Sequence, residues 1–423
     1  MRKIHGVSGN FTDTFHKMKQ TIYILLFLLA YSNTFGQTKF QKDFSFYWQT
    51  INENFAYFDK QKTNWEKVKT IYQPIIDTLK TENQFIYVLE KINNEFYNGH
   101  IFLNTNTNSS NRTIPTGSDL KAVYENNKFV IVEVRKGFNA DLCGLKKGMI
   151  VAKFNGVAMD KAIVDFLPKS VATFDNSMYE YAINMLLAGT HNAKREITIS
   201  NNGIEKTFYP DNIPNKTDDN YATLLESKII NSNIGYIKIN NSLGNFDLIT
   251  EFDKTLDSLL NTKGLILDFR ETPSGGNTTV ARAILGRFID KEQPYQKHIY
   301  TFEEKETGIK RSTLELVSPR QKQYTKPIIV LVNYWTGSMG EGITIAFDGM
   351  KRAKILGTTM AGLLGEITTF ETPEMKIPFS FPTAQLQKIN GLPREKFIPM
   401  NINTNEDEIK KAIEQLMNKK NYP

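Results

Sequence analysis

The stretch Pro327-Ile-Ile-Val-Leu-Val-Asn-Tyr-Trp-Thr-Gly-Ser-Met-Gly-Glu341 decides how this chain is read. Its first half is an unbroken apolar run of strand length, the pattern of a strand buried on both faces. The run breaks at Tyr334-Trp-Thr-Gly337 and delivers Ser338 to the start of a helix. A serine placed there sits on a tight turn, with helix-end N–H groups near its oxygen, as several enzyme folds present a nucleophile. The same letters also describe an ordinary turn and N-cap. The segments around it must carry the decision.

From about residue 220 onward, strand and helix patterns alternate. Ile234–Ile239, Gly264–Phe269, Ile328–Val332 and Ala353–Gly357 read as strands. Phe246–Leu260, Thr278–Phe288 and Glu341–Gly349 read as helices, and an amphipathic tail helix covers 405–418. Alternation of this kind predicts a layered α/β core with buried, partly parallel strands. Residues 40–97 carry a different pattern. Trp65, Val68, Ile71, Tyr72, Ile75, Ile76 and Leu79 fall at helical spacing, and Phe85, Val88, Leu89, Ile92 and Phe96 repeat it. A small helical bundle follows from this, then Asn98-Gly99-His100, a short strand Ile101–Leu103 and a polar loop over 104–116. Between about 117 and 212, β-rich runs such as Lys128–Val134 and Ile150–Phe154 alternate with the turn signals Glu125-Asn-Asn127 and Asn155-Gly156.

At 423 residues the chain is too long for one ordinary core, so two or three domains are expected. The apolar run Ile22–Tyr31, behind Lys17-Met-Lys19 and ahead of Ser32-Asn-Thr-Phe-Gly36, reads as a secretory signal peptide. At about ten residues it is too short to cross a bilayer of roughly 30 Å. The reading takes Met18 as the start, cleavage near Gly36, and a periplasmic or extracellular address with no stable membrane anchor afterwards. Residues 1–36 hold Arg2, Lys3, Lys17 and Lys19 against Asp13, a net of +3, so the formal charge falls from +7 to about +4 (7 − 3). That is too mild a balance, without basic clusters among aromatics, to point to nucleic acid. The single cysteine, Cys143 in an apolar context, excludes a disulfide framework and a Cys-based zinc site, and reads as a buried structural thiol. No metal motif and no dinucleotide glycine fingerprint occurs, so neither metal nor cofactor is expected.

Between strand and helix stands Glu271-Thr-Pro-Ser-Gly275-Gly276-Asn277-Thr278. Two glycines here let the backbone approach a ligand and aim N–H groups at an anion; a tight connection is the plainer reading. In the functional reading Gly276 or Gly275 supplies half of an oxyanion hole, and the N–H of Met339 supplies the other half.

Taken in order, the "NGH" segment, "GYI-x-I", "LILDFR…GGN", "VLVN…SMGE" and "A-x-ILGTT-x-AG" resemble the C-terminal-processing and tricorn-type serine peptidases. Ala140–Ile150 with Phe154-Asn-Gly-Val157 resembles the PDZ pattern, with Met149 where Asp is usual. The resemblance implies an α/β, crotonase-like layered core with an N-terminal helical segment and an inserted PDZ-like β domain. The boundaries are 1–36 (over-called start and signal peptide), 37–112 (helical segment with His100), 113–215 (PDZ-like) and 216–423 (peptidase core). It implies peptide-bond hydrolysis by Ser338, with Glu341 completing the family's "S-x-x-E" as the carboxylate that fixes the turn.

The family divides by its base. A Ser–Lys dyad is contradicted here, because Leu363 stands at the lysine's place and no lysine lies between Lys354 and Lys376. The tricorn-type branch uses a histidine, which the resemblance puts at His100; His191 reads as an exposed turn and His298 as a strand residue near the site. An unperturbed imidazole suits proton transfer at neutral pH. The resemblance puts the family's glutamate at Glu395, which reads equally well as a solvated neighbour of Arg394 and Lys396, and Gly99 replaces the family's serine beside the histidine. A polypeptide substrate is implied, held by its C-terminal tail if the PDZ-like domain takes it as an edge strand. The alternatives are an inactive peptide- or ligand-binding protein on the same fold, and acyl-thioester chemistry, against which the signal peptide speaks.

Overall fold

The computed structural model describes residues 37–213, 222–231, 233–401 and 407–418. The signal-peptide reading of 1–36 lies outside them. Among the described residues no helix is long and apolar enough to cross a membrane.

The apolar run Ile328–Val332 lies at the centre of a six-stranded sheet. Across the sheet the order is β17 (Met400–Asn401), β14 (Lys354–Gly357), β13 (Ile328–Val332), β10 (Gly264–Asp268), β9 (Ile234–Ile239) and β8 (Leu225–Ile230). All pairs are parallel except β8 with β9. Strands β10 and β13 are buried at every position because helices cover both faces. On one face Leu256, Ile284, Ile343 and Phe347 of the helices Asp247–Ser258, Thr278–Leu285 and Met339–Gly349 pack on Leu265, Leu267, Val330 and Val332. On the other, Ala412 and Leu416 of the helix Glu408–Met417 meet Ile266, Ile329 and Leu331. Burial on both faces is what erases the in–out alternation of a half-exposed strand.

The N-terminal helices are Lys39–Asn54, Trp65–Ile76 and Glu82–Asn93. Thr38 with Gln41 and Thr81 with Gln84 form capping boxes that satisfy the free N–H groups at two of the three starts. Their aromatic stripe, with Trp48 stacked on Trp65, packs on Phe379 and Phe381 of a second sheet. That sheet runs β1 (Phe102–Leu103), β16 (Pro378–Gln387), β11 (Gln293–Tyr300) and β12 (Arg311–Val317), with β15 (Glu366–Glu371) also paired to β16. The sequence patterns missed most of it. Prolines at 294, 378 and 382 and the polar opening Arg311-Ser-Thr313 hide its strand character. It is nonetheless what covers the helices and leads β1 back towards His100.

The third sheet joins β2 (Leu120–Glu125), β3 (Lys128–Val134), β4 (Ile150–Phe154), β6 (Ile197–Asn201) and β7 (Ile204–Phe208), with β5 (Val157–Ala158) on β4. It closes over the helix Asn176–Ala188 around Leu120, Ile131, Ile183 and Leu187. Cys143 is only half-buried, and its thiol donates to the Ala140 carbonyl.

This sheet is tied to the first by polar contacts. The indole N–H of Trp335 donates to the Ser118 carbonyl at 2.8 Å, and Arg135 pairs with Glu271 at 2.8 Å.

Candidate active site

Ser338 stands between β13 and the helix Met339–Gly349, with φ +50° and ψ −109°. An L-residue pays steric strain in that conformation, and such strain recurs where a nucleophile is thrust out of a strand-to-helix turn. The turn is held from several sides. Thr336 N–H donates to the Asn333 carbonyl and Gly337 N–H to the Thr272 carbonyl. Gly337 has no room for a side chain, since a Cβ there would lie 2.5 Å from the Pro273 carbonyl oxygen.

His100 comes from the end of the helical segment, just before β1. Its Nε2 is 3.1 Å from the Ser338 Oγ, and its Nδ1 is 2.5 Å from the Leu364 carbonyl oxygen. The carbonyl fixes the tautomer: Nδ1 carries the proton and Nε2 is left to accept one from the serine. Burial, and then the positive charge of Arg394, push the imidazole pKa down to about 4, against the help of the backbone carbonyls of Leu364 and Gly365. The ring is therefore neutral at physiological pH. Gly99 has a steric reason: a Cβ there would stand 2.2 Å from the Ile114 carbonyl oxygen, so no serine fits beside the histidine.

Glu395, expected to orient the ring, makes no hydrogen bond to it. The short 3-10 turn Arg394–Lys396 points Arg394 inward instead, and leaves Glu395 beside Tyr57 with its Oε2 unpartnered. The orienting acceptor is a main-chain carbonyl, which no sequence pattern advertises.

Glu341 is buried beneath the turn. It accepts from the N–H groups of Ser338 (2.9 Å), Gly362 (3.0 Å) and Leu363 (3.2 Å). Burial raises its pKa to about 7, partly offset by Arg394 and those three N–H groups. It thereby joins the Ser338 turn to the strap Gly362–Gly365.

The rest of that strap is held as firmly. Asn98 Oδ1 accepts from the N–H groups of Leu364 and His100, and its Nδ2 donates to the Gly362 carbonyl. Arg394 Nη2 donates to the carbonyls of Leu363 (2.9 Å) and Gly365 (3.1 Å).

The glycine pair approaches from the opposite side. A Cβ on Gly275 would lie 2.4 Å from the Ser338 Cβ and 2.9 Å from its Oγ. The two glycines are not equivalent as donors. Gly275 N–H is spent on the Thr272 carbonyl at 3.1 Å, whereas among the described residues neither Gly276 N–H nor Met339 N–H has a protein acceptor. Of the three candidates, Gly276 and Met339 remain free to donate to an oxyanion.

Ser338, His100, Gly276 and Leu363 share a cavity of about 350 Å³ with Phe102, Ile114 and Ile367. Leu363, where the other branch keeps lysine, is part of its apolar wall.

His298 and His191 lie apart from this group. His298, buried on β11, sits between Glu366 (2.8 Å) and Glu315 (3.3 Å). Burial lowers its pKa, but the two carboxylates outweigh that and take it up to about 9. His191 is exposed in a turn. Among the described residues no group of three or more His, Cys, Asp or Glu side chains is placed to hold a metal.

Residues 233–396 match the family model "Peptidase family S41", and residues 37–93 match "Tricorn protease C1 domain". The chain belongs to the C-terminal-processing and tricorn-type peptidase family. A curated member of this family, the carboxy-terminal processing protease CtpA of Bacillus subtilis (strain 168), is 25% identical over 315 residues. That alignment takes in 72% of this chain and 60% of the Bacillus protein, so the chain spans less than two thirds of its relative. Two solved family structures share the fold. The photosystem II D1 C-terminal processing protease matches with a TM-score of 0.55 and 14% identity, covering 91% of this chain and 99% of that one. Mature CPAF matches with a TM-score of 0.60 and 15% identity, covering 90% and 96%.

Proposed function

We propose that this chain is an exported serine endopeptidase of the tail-processing and tricorn type, with Ser338 as nucleophile and His100 as general base. The observation that carries the reading is the 3.1 Å contact between His100 Nε2 and a Ser338 held at φ +50°. His100 takes the serine proton as Oγ attacks the scissile carbonyl, and returns it to the leaving amine. The tetrahedral oxyanion is received by the N–H groups of Gly276 and Met339, each worth on the order of 3 kcal/mol. The Leu364 carbonyl holds Nδ1–H through both steps, in the place a carboxylate takes in other triads.

Within this proposal residues 216–423 form a crotonase-like core, 113–215 a PDZ-like insert and 37–112 the segment that brings His100. Residues 1–36 direct export to the periplasm or beyond. The substrate is a polypeptide, offered by its C-terminal tail. The test is hydrolysis of an unfolded polypeptide by the mature chain and by Ser338→Ala. Cleavage that disappears in the variant supports the reading. Equal cleavage, or none in either, removes it and leaves the binding-protein alternative.

A further inference from the structure

We propose that Arg394 is a positioning residue of this site: by gripping the strap on either side of Leu364 it holds the Leu364 carbonyl against His100. The inference rests on the proposed role of His100. Arg394 is 2% exposed, and its Nη2 bridges the carbonyls of Leu363 and Gly365. These flank Leu364, whose own carbonyl accepts from the His100 Nδ1–H. Binding the carbonyls on either side fixes the peptide planes that flank Leu364 and so holds the carbonyl between them in place. A single side chain thus fixes the acceptor that fixes the tautomer.

The charge matters as well as the grip. Arg394 stands buried against the same strap that the imidazole contacts, and a second cation forming on His100 is opposed by it. The other charged or titratable groups gathered here are Glu341 beneath the strap, Ser338 on the ring's far nitrogen, and Tyr57 with Glu395 on the outer side. Of these, Glu341 offsets the guanidinium through the strap without touching the ring. Burial is the larger cause of the low imidazole pKa, and the Arg394 charge adds to it by opposing the protonated form.

Two substitutions separate grip from charge. Arg394→Met removes both; Arg394→Lys keeps the cation but cannot bridge two carbonyls in the same planar geometry. The readouts are the NMR titration of the His100 imidazole, which needs no turnover, and kcat and KM as functions of pH on an unfolded polypeptide. Arg394→Met is expected to move the His100 titration and the acid limb of kcat/KM upward towards 6.5, and to lower kcat at least about tenfold. Arg394→Lys is expected to leave the titration low while kcat falls about tenfold with KM within about twofold. A folded Arg394→Met chain with the wild-type His100 titration overturns the proposal, as does Arg394→Lys with wild-type kcat. If the wild type hydrolyses nothing while Arg394→Met still moves the titration, the peptidase reading falls and the coupling between Arg394 and His100 stands.

Discussion

The imidazole of His100 and the hydroxyl of Ser338 meet at 3.1 Å although 238 positions separate them in the chain. Two different parts of the fold must pack correctly for this contact to exist. His100 is carried in by the N-terminal helices, which are themselves seated on the β1–β16–β11–β12 sheet, whereas Ser338 is thrust up by the central parallel strand β13.

One consequence concerns acid. With its pKa pushed down to about 4 by burial and by Arg394, His100 stays neutral over most of the acidic range. An ordinary histidine near 6.5 would cost about tenfold in kcat/KM between pH 8 and pH 5.5. Here the His100 limb is expected to lie well below pH 5.5. Any inflection near pH 7 belongs to Glu341, whose carboxyl burial raises to about 7, and it is expected to vanish in Glu341→Gln. A profile in that variant falling through 6.5 contradicts the assignment.

A second concerns the close approach of the glycine pair. Gly275→Ala puts a methyl group 2.4 Å from the Ser338 Cβ, at a backbone φ of +67°. The kcat/KM is expected to drop at least about 100-fold, on the scale of a lost oxyanion donor. Gly308→Ala is the control, because Gly308 also has a positive φ (+73°) but open space around it. Comparable losses in both variants would mean that backbone strain, not the blocked serine, is responsible.

Glu341 gives a stability prediction. Glu341→Ala strands the N–H groups of Ser338, Gly362 and Leu363, each buried donor costing about 1–3 kcal/mol, while the burial cost of the carboxylate is relieved. A net loss on the order of 3 kcal/mol is expected in denaturant unfolding, with an unchanged m value. A loss within about 0.5 kcal/mol would show that water replaces the carboxylate freely.

His298 acts on stability in the opposite pH range. Its folded pKa is raised to about 9 by Glu366 and Glu315, so its contribution is full below about 6.5 and is lost as pH rises through 9. His298→Gln is expected to lower Tm at pH 6 and to match the wild type near pH 10. A pH-independent gap in Tm would contradict the ion-pair account.

Much of this was legible in the sequence, for physical reasons. Ile328–Val332 and Gly264–Asp268 read as strands because burial on both faces demands unbroken apolar runs, and the helices flanking them show clean periodicity. The serine and the histidine were legible as side chains in an ordered set of motifs. The second sheet was not, since β16 carries two prolines and β12 is mostly exposed and opens on Arg311-Ser-Thr313. Neither was the partner of His100 Nδ1. Every residue owns a carbonyl, so nothing in Leu364 marks its own as special, and Arg394 between Pro393 and Glu395 looks like any solvated cation. Gly275 and Gly276 are identical letters, and only their hydrogen bonds tell the spent donor from the free one.

The central claim is that Ser338 is an activated nucleophile, and covalent labelling tests it most directly. The mature chain is exposed to a fluorophosphonate probe and the modified residue is mapped by peptide mass analysis, alongside His100→Ala and Ser338→Ala. The account predicts a single adduct on Ser338, slowed at least about 100-fold in His100→Ala and absent in Ser338→Ala. Labelling elsewhere, or labelling of Ser338 at the same rate without His100, would contradict it.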